Sequence, residues 1–515
     1  MTEPVDATDL GDRGELLRVA RGGSLNLAGA VLNQALRFLI TLLLARLVGR
    51  GDLGRYFQAF AFLALLGLLS LSGFRGALTR FVAVHRADGD AGALHGTLRL
   101  GLILPTAGAA VLGALLFAMS GWLANHALDD AAMVFPLRIV SIALPATSFA
   151  DAALAATQGY RTMTPFAVVN LVFEPTFRVL LTVVFLGAGW GLKGAMVALL
   201  VTNCVGAVAA GAWLRRLTGR LTAAPVYHWR ELFGFSTVSW LASLAGTGLV
   251  WADTIILGVF RPAREVGVYQ VATRLTVLAT IVLFPIATSF APQIADLYQR
   301  GNLERLARLY AVVTSWTLRL SLPGFVVLML FPRPLLHVFG RGFISAATVT
   351  MILAVGQMFD VATGPTGYML VMSGRPYLTM ANNVFALIVN IGLNLVLIPA
   401  YGIRGAAVAW AVSIALINVA KVVQVWVTMR IHAYDAGFAK GLVAAAAAFA
   451  AGLAVHAGVR GFASLIVGAP VVVLVYVPVL LMLGLGEEDR LVLRRLGEKL
   501  LVVQRTPGPA RADSQ

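Results

Sequence analysis

Gly191-Leu-Lys-Gly-Ala195 recurs as Gly402-Ile-Arg-Gly-Ala406, and Asp52-Leu-Gly-Arg-Tyr56 recurs as Glu265-Val-Gly-Val-Tyr269. The first pair is 211 residues apart and the second, aligned on Gly54 and Gly267, is 213 apart. Two matches at nearly one spacing mark an internal duplication. The repeat unit holds six apolar runs, an even number, so both copies enter a membrane in the same direction and are related by an axis along its normal.

The runs lie at about 24–48, 57–79, 97–121, 133–157, 164–188, 192–214, 234–258, 268–290, 310–331, 347–372, 378–399, 404–428, 438–458 and 462–485. Each is long enough to cross a hydrocarbon core of ~30 Å. Hydrophobic residues make up 59% of the 515 and charged residues only 12%, against roughly 25% charged in a soluble domain. An ordinary globular enzyme is thereby excluded. The expected fold is an all-α integral membrane protein of about 14 transmembrane helices. Two six-helix lobes, 24–216 and 230–429, form the repeat, and two extra C-terminal helices occupy 438–485.

Charge gives the orientation. Lys and Arg in short loops stay on the cytoplasmic side, and an inside N-terminus places 23 of the 40 in cytoplasmic segments and ten outside, with seven within spans. Residues 1–23 and 486–515 then read as cytoplasmic tails, the first without the apolar core of a signal peptide. The net charge of +16 comes from these short clusters, and no stretch interleaves base with aromatics as nucleic-acid binding requires. Cys204 is the only cysteine, which excludes an intrachain disulfide. No GxxxxGK[ST], HExxH, GxSxG or CxxC motif occurs, and the connections between spans are too short for a soluble domain. Neither an enzyme nor a resident cofactor is expected.

On the fourteen-run layout, the six-plus-six repeat, the acidic-x-Gly-x-Tyr turns and the Gly-x-basic-Gly-Ala turns, the chain resembles the polysaccharide transporters of the multidrug/oligosaccharidyl-lipid/polysaccharide flippase superfamily. The likeness is strongest to bacterial flippases for O-antigen and exopolysaccharide repeat units. The resemblance implies a V-shaped pair of lobes in the bacterial inner membrane. They would move an undecaprenyl-diphosphate-linked oligosaccharide to the periplasmic leaflet by alternating access, coupled to a Na+ or H+ gradient. Its partners would be that lipid-linked oligosaccharide, membrane lipids, and a polysaccharide polymerase with its chain-length machinery. A lipid II flippase, a multidrug extruder of the same superfamily and a membrane glycosyltransferase or polymerase are the alternatives.

Ionisable groups inside a span cost ~2.5–3.5 kcal/mol each on insertion scales, so each needs a partner, a wet cavity or an escape route. Eleven occur: Arg37, Arg75, Arg138, Arg178, Arg274, Arg319, Lys421, Asp151, Glu174, Asp253 and Asp360. Arg75, Arg138, Arg274 and Lys421 lie near enough to span ends to snorkel. Arg37 does not, and with Arg75, Arg274 and Arg319 it is a candidate contact for the diphosphate. Its repeat counterpart is Val250, three residues before Asp253, so helices one and seven carry opposite charges at neighbouring depths. Either Arg37 receives the diphosphate while Asp253 holds the arginine or a coupling ion, or the two form a permanent clasp. Glu174 and Arg178, four apart, share a helix face. They join Asp151, Asp360 and Asp253 as ion-coupling or gating candidates. Gly364-Pro-Thr-Gly367 is a candidate hinge.

Overall fold

The computed structural model describes residues 29, 31–71, 73–281, 283–484 and 486. The tail expected at 1–23 and nearly all of that at 486–515 lie outside them. Regular structure among the described residues is helical throughout. The helices of more than ten residues are α1 (31–47), α2 (Gly49–Leu71), α3 (Phe74–Ala87), α4 (Ala91–Trp122), α5 (Val134–Gly159), α6 (Thr164–Gly187), α7 (Gly191–Thr218) and α8 (Trp229–Phe260). They continue as α9 (Ala263–Ala279), α10 (Leu283–Gln299), α11 (Leu303–Leu330), α12 (Ala347–Thr363), α13 (Pro376–Tyr401), α14 (Ile403–Met429), α15 (Ala436–Gly458) and α16 (Ala463–Met482).

Among the described residues, 12 helices are long and apolar enough to cross a membrane. They fall on the expected spans except the first and eighth. The first span is α1, and the eighth is divided into α9 and α10. The protein is thus an all-α membrane protein of about fourteen spans.

Some of the expected spans are interrupted. The run at 57–79 straddles a break between α2 and α3, and the run at 268–290 straddles the break between α9 and α10. A hydropathy window averages across such a break, because apolar residues continue on both sides of it. At the first break Gly73 has φ +78°, and a side chain there would collide with the carbonyl of Ser236 on α8. Both conditions demand glycine.

The repeated sequence pairs are explained by packing. Gly191 and Gly402 both adopt positive φ, 53° and 58°, where the chain reverses between α6 and α7 and between α13 and α14. The second glycine of each pair, Gly194 or Gly405, lies against the preceding helix, at Phe185 or at the Leu397 carbonyl. The acidic-x-Gly-x-Tyr segments, expected as turns, are already helical: Asp52–Tyr56 belongs to α2 and Glu265–Tyr269 to α9. Their glycines make a helix crossing. A side chain on Gly54 would strike the backbone of Ala263 and Gly267, and one on Gly267 would strike that of Arg50 and Gly54. Arg50 and Ala263 are themselves 213 apart. Each residue therefore meets its partner's counterpart, the reciprocity of a local two-fold. Without a hydrophobic drive between helices in lipid, such close backbone approach is what dispersion forces require.

The chain forms two compact units. Among the described residues, one comprises those up to Ile281 with Pro332–Asp360 and Gly374–Lys421; the other comprises those from 283 to 331, Val361–Ser373 and those from Val422 onward. In the second unit α11 packs on α15, and α15 on α16. The fully buried Phe331 ring fills the space left by Gly468, and Leu330 the space left by Gly452. The hinge candidate is a real interruption: Gly364, at φ +64°, separates α12 from the short helix Thr366–Met372 and lies against Thr314.

Candidate anion-binding cavity

The first unit contains an open cavity of about 930 Å³. α1 contributes Arg37, α3 contributes Arg75 and Arg80, and α6 contributes Glu174 and Arg178. Asp151 from α5 completes the charged lining, and Thr79, Thr147, Asn203, Ser243 and Thr247 add neutral polar groups. Four arginines face two carboxylates, a formal surplus of two positive charges.

The arginines are held in different ways. Arg178 is buried and forms an ion pair through Nη2 with Glu174 Oε1, one turn back on α6, with its guanidinium 5.7 Å from the Phe60 ring centroid. Arg37 donates from Nε to Asn33 Oδ1 at 2.5 Å. Arg75 is exposed and sits 5.7 Å from the Phe166 ring, whereas Arg80 lies 4.9 Å from the Phe235 ring. Stacking on a ring satisfies the charge through the π quadrupole and leaves N–H donors available to an incoming anion.

A second hollow of about 30 Å³ adjoins the same arginines, lined by Arg37, Arg178, Arg274, Thr41, Tyr56 and three apolar side chains. Arg274, from α9, rests between the Phe57 and Trp251 rings at 5.3 and 5.7 Å. Arg37 and Arg178 line both hollows, with Arg75, Asp151 and Glu174 around the larger one and Arg274 at the smaller.

The sequence profile of the polysaccharide biosynthesis proteins matches residues 19–298, and the MatE profile matches 239–396. This chain belongs to the polysaccharide biosynthesis protein family. A probable low-salt glycan biosynthesis flippase of Haloferax volcanii, Agl15, is 26% identical over 396 residues, covering 75% of this chain and 79% of that one. Stage V sporulation protein B of Bacillus subtilis is 23% identical over 454 residues, 81% of this chain and 86% of that one. Among solved structures, the lipid II flippase MurJ in an inward closed conformation shares the fold with a TM-score of 0.71 at 13% identity, covering 88% of this chain and 97% of that chain. An inward-facing multidrug resistance MATE transporter gives a TM-score of 0.63 at 15% identity, over 82% of this chain and 98% of that chain.

In this polysaccharide biosynthesis protein the remaining charged candidates lie elsewhere. Asp253, 2% exposed on α8, accepts from Tyr269 Oη at 2.8 Å and from Asn394 Nδ2 at 2.6 Å, so each of its oxygens has a donor. Asn394 also bonds Asn390 Oδ1 at 3.0 Å. The Arg37–Asp253 clasp does not form, because both carboxylate oxygens are engaged by α9 and α13. Asp360 accepts from Asn418 Nδ2 at 3.0 Å on α14.

Arg319, expected at the cavity, belongs to the second unit. It packs on Gly437 and Gly441 of α15, donates to the Ser315 carbonyl at 3.3 Å, and its own carbonyl accepts from Tyr476 Oη at 2.8 Å. The two C-terminal helices thus supply surroundings that its own span did not reveal. Arg138 reaches Ser120 Oγ at 3.2 Å beside the Phe117 ring and stays exposed, consistent with snorkelling. Sequence reading missed Arg80, which falls just past a span end, and the Asn390 and Asn394 pair, whose four-residue spacing in an apolar run was the available signal.

Proposed function

We propose that this protein is a flippase that carries a polyprenyl-diphosphate-linked oligosaccharide, such as an undecaprenyl repeat unit, from the cytoplasmic to the periplasmic leaflet of a bacterial inner membrane. The arginine surplus in the cavity carries the reading. A diphosphate brings concentrated negative charge to a low-dielectric site, where Arg gives forked, charge-assisted hydrogen bonds. Organic cations, the cargo suggested by a drug extruder, would be repelled by the same lining. The flippase name of the Haloferax relative and the MurJ-like fold support transport of a lipid carrier.

Under alternating access Arg37, Arg75 and Arg274 are the diphosphate contacts, with spans one to six moving against spans seven to twelve and both termini cytoplasmic. Glu174 neutralises Arg178 between substrates, and Asp151 and Asp360 are gating groups. Asp253 with Tyr269, Asn390 and Asn394 supplies oxygen ligands for a coupling Na+ or H+. A polymerase and chain-length machinery would receive the product. MurJ's fold keeps lipid II as a second cargo, since it shares the diphosphate.

The test is transbilayer movement of a fluorescent polyprenyl-diphosphate oligosaccharide in liposomes, run beside lipid II and beside a cationic dye, with and without sodium and proton gradients. Movement of the oligosaccharide, weakened but still measurable in Arg37→Ala, is the expected result. Transport of the dye alone would overturn the reading.

A further inference from the structure

α6 has an irregularity in its hydrogen bonding beside the cavity. In a regular α-helix the carbonyl of Asn170 accepts from the N–H of Glu174. Residues Ala167–Phe173 are instead π-helical, and the Glu174 N–H bonds the carbonyl of Val169, five residues back. Continuing that pattern, the donor for Asn170 would come from residue 175. That residue is Pro175, which has no N–H. The Asn170 carbonyl is left without a partner in its own helix, at a depth where each unsatisfied backbone group is costly.

The donor it finds is Asn33 Nδ2 of α1, at 3.2 Å. The other end of the same amide, Asn33 Oδ1, accepts from Arg37 Nε at 2.5 Å. Asn33 is 8% exposed. Its amide can satisfy both neighbours in one orientation only, because a flipped group would set oxygen against the carbonyl and N–H against N–H. The Glu174-Pro175 dipeptide therefore has a consequence on another helix. It frees a carbonyl that orients an asparagine, and the asparagine orients an arginine.

We infer that Asn33 is a positioning residue for Arg37, anchored on the carbonyl that Pro175 leaves free, so that the guanidinium offers its Nη fork to the substrate diphosphate in a fixed direction. The inference rests on Arg37 being a diphosphate contact. A long side chain held at Nε has already lost most of its rotamer freedom, and binding does not have to remove it again. The π-helical turn, a feature frequent at functional sites, has a stated purpose here.

The experiment uses the full chain in liposomes and measures flipping against the concentration of a polyprenyl-diphosphate oligosaccharide. Asn33→Ala is expected to raise the half-saturating concentration about tenfold, the size of one lost charge-assisted hydrogen bond. Asn33→Ala with Arg37→Ala is expected to be no worse than Arg37→Ala alone, because the asparagine acts through the arginine. Pro175→Ala, added to Asn33→Ala, gives the Asn170 carbonyl an N–H and repairs the helix without restoring the tether, so transport should stay impaired. Additive losses in the first pair, or recovery to wild-type half-saturation in the second, would overturn the assignment. A readout independent of transport is hydrogen exchange at Arg37 Nε, followed by NMR with ¹⁵N-labelled arginine. Slow exchange in the wild type, lost in Asn33→Ala, is expected, and unchanged exchange would overturn the tether. If the wild type flips no lipid, the transport reading fails while exchange still decides the role of Asn33.

Discussion

α1 and α6 form one helix pair, and α8 and α13 form its repeat counterpart, yet the two pairs handle charge in opposite ways. On α1 and α6, Arg37, Glu174 and Arg178 face a cavity of about 930 Å³. On α8 and α13, Asp253 is sealed by neutral donors from Tyr269 and Asn394 and is 2% exposed. α6 contains a π-helical turn, whereas α13 is regular from Pro376 to Tyr401. The helix layout repeats between the two pairs, while the local backbone and the charged side chains differ. An open cationic site can exchange a large anion. A buried carboxylate suits a small ion or a proton. The opposite charges differ by three residues in the repeat register, about 4.5 Å along a helix.

Four tests would break or sharpen this contrast. The largest effect is expected where the halves meet. Gly54→Leu must push α2 away from the Ala263 carbonyl, costing about 3 kcal/mol or more. Gly267→Leu should match it, as read from the yield of monodisperse protein and its thermal unfolding. Unequal losses would show that the crossing is not reciprocal.

Arg37→Glu comes next. It reduces the formal surplus of the cavity from two charges to none, and transport should fall about 100-fold, two or three kcal/mol of binding, with normal folding. Asp253→Asn should have a smaller effect of a different kind. The maximal rate falls about tenfold, equivalent to roughly 1.4 kcal/mol, and its dependence on a cation gradient disappears. Binding of the diphosphate lipid in detergent should persist, and its loss would mean that the two sites are one. Arg80→Ala is the mildest, about two- to threefold at low salt and less at high salt, since an exposed charge at the rim is screened. A salt-independent loss would place Arg80 deeper in the binding step.

Much of the architecture was legible before any coordinates. The fourteen spans and the repeat follow from apolar run length and from four short segments, because lipid obliges every spanning backbone to bond itself and leaves hydropathy as the main variable. The charged site was half legible. Arg37, Arg75, Arg274, Asp151, Glu174 and Arg178 were visible as costly residues in apolar surroundings, and the structure places all six around two hollows that share Arg37 and Arg178. Arg80 escaped because a charge at a span end looks interfacial. Asn33 escaped because a lone asparagine gives no signal until its neighbours across the helix gap are known. Arg319 was misplaced because its environment comes from helices more than a hundred residues further along the chain.

By itself the sequence determined the membrane setting, the helix count, the duplication and which buried charges demand an explanation, since these depend on composition and spacing along one chain. Only the tertiary structure decided partners. It set Asp253 against Tyr269 and Asn394 rather than Arg37, turned the repeated acidic-x-Gly-x-Tyr segments from loops into a helix crossing, and joined Pro175 to Arg37 through Asn33. The reason is geometric. A hydrogen bond reaches about 3 Å, while one helix residue turns its side chain by about 100°. Which groups meet is therefore settled by the rotation and register of packed helices, quantities that no single helix contains.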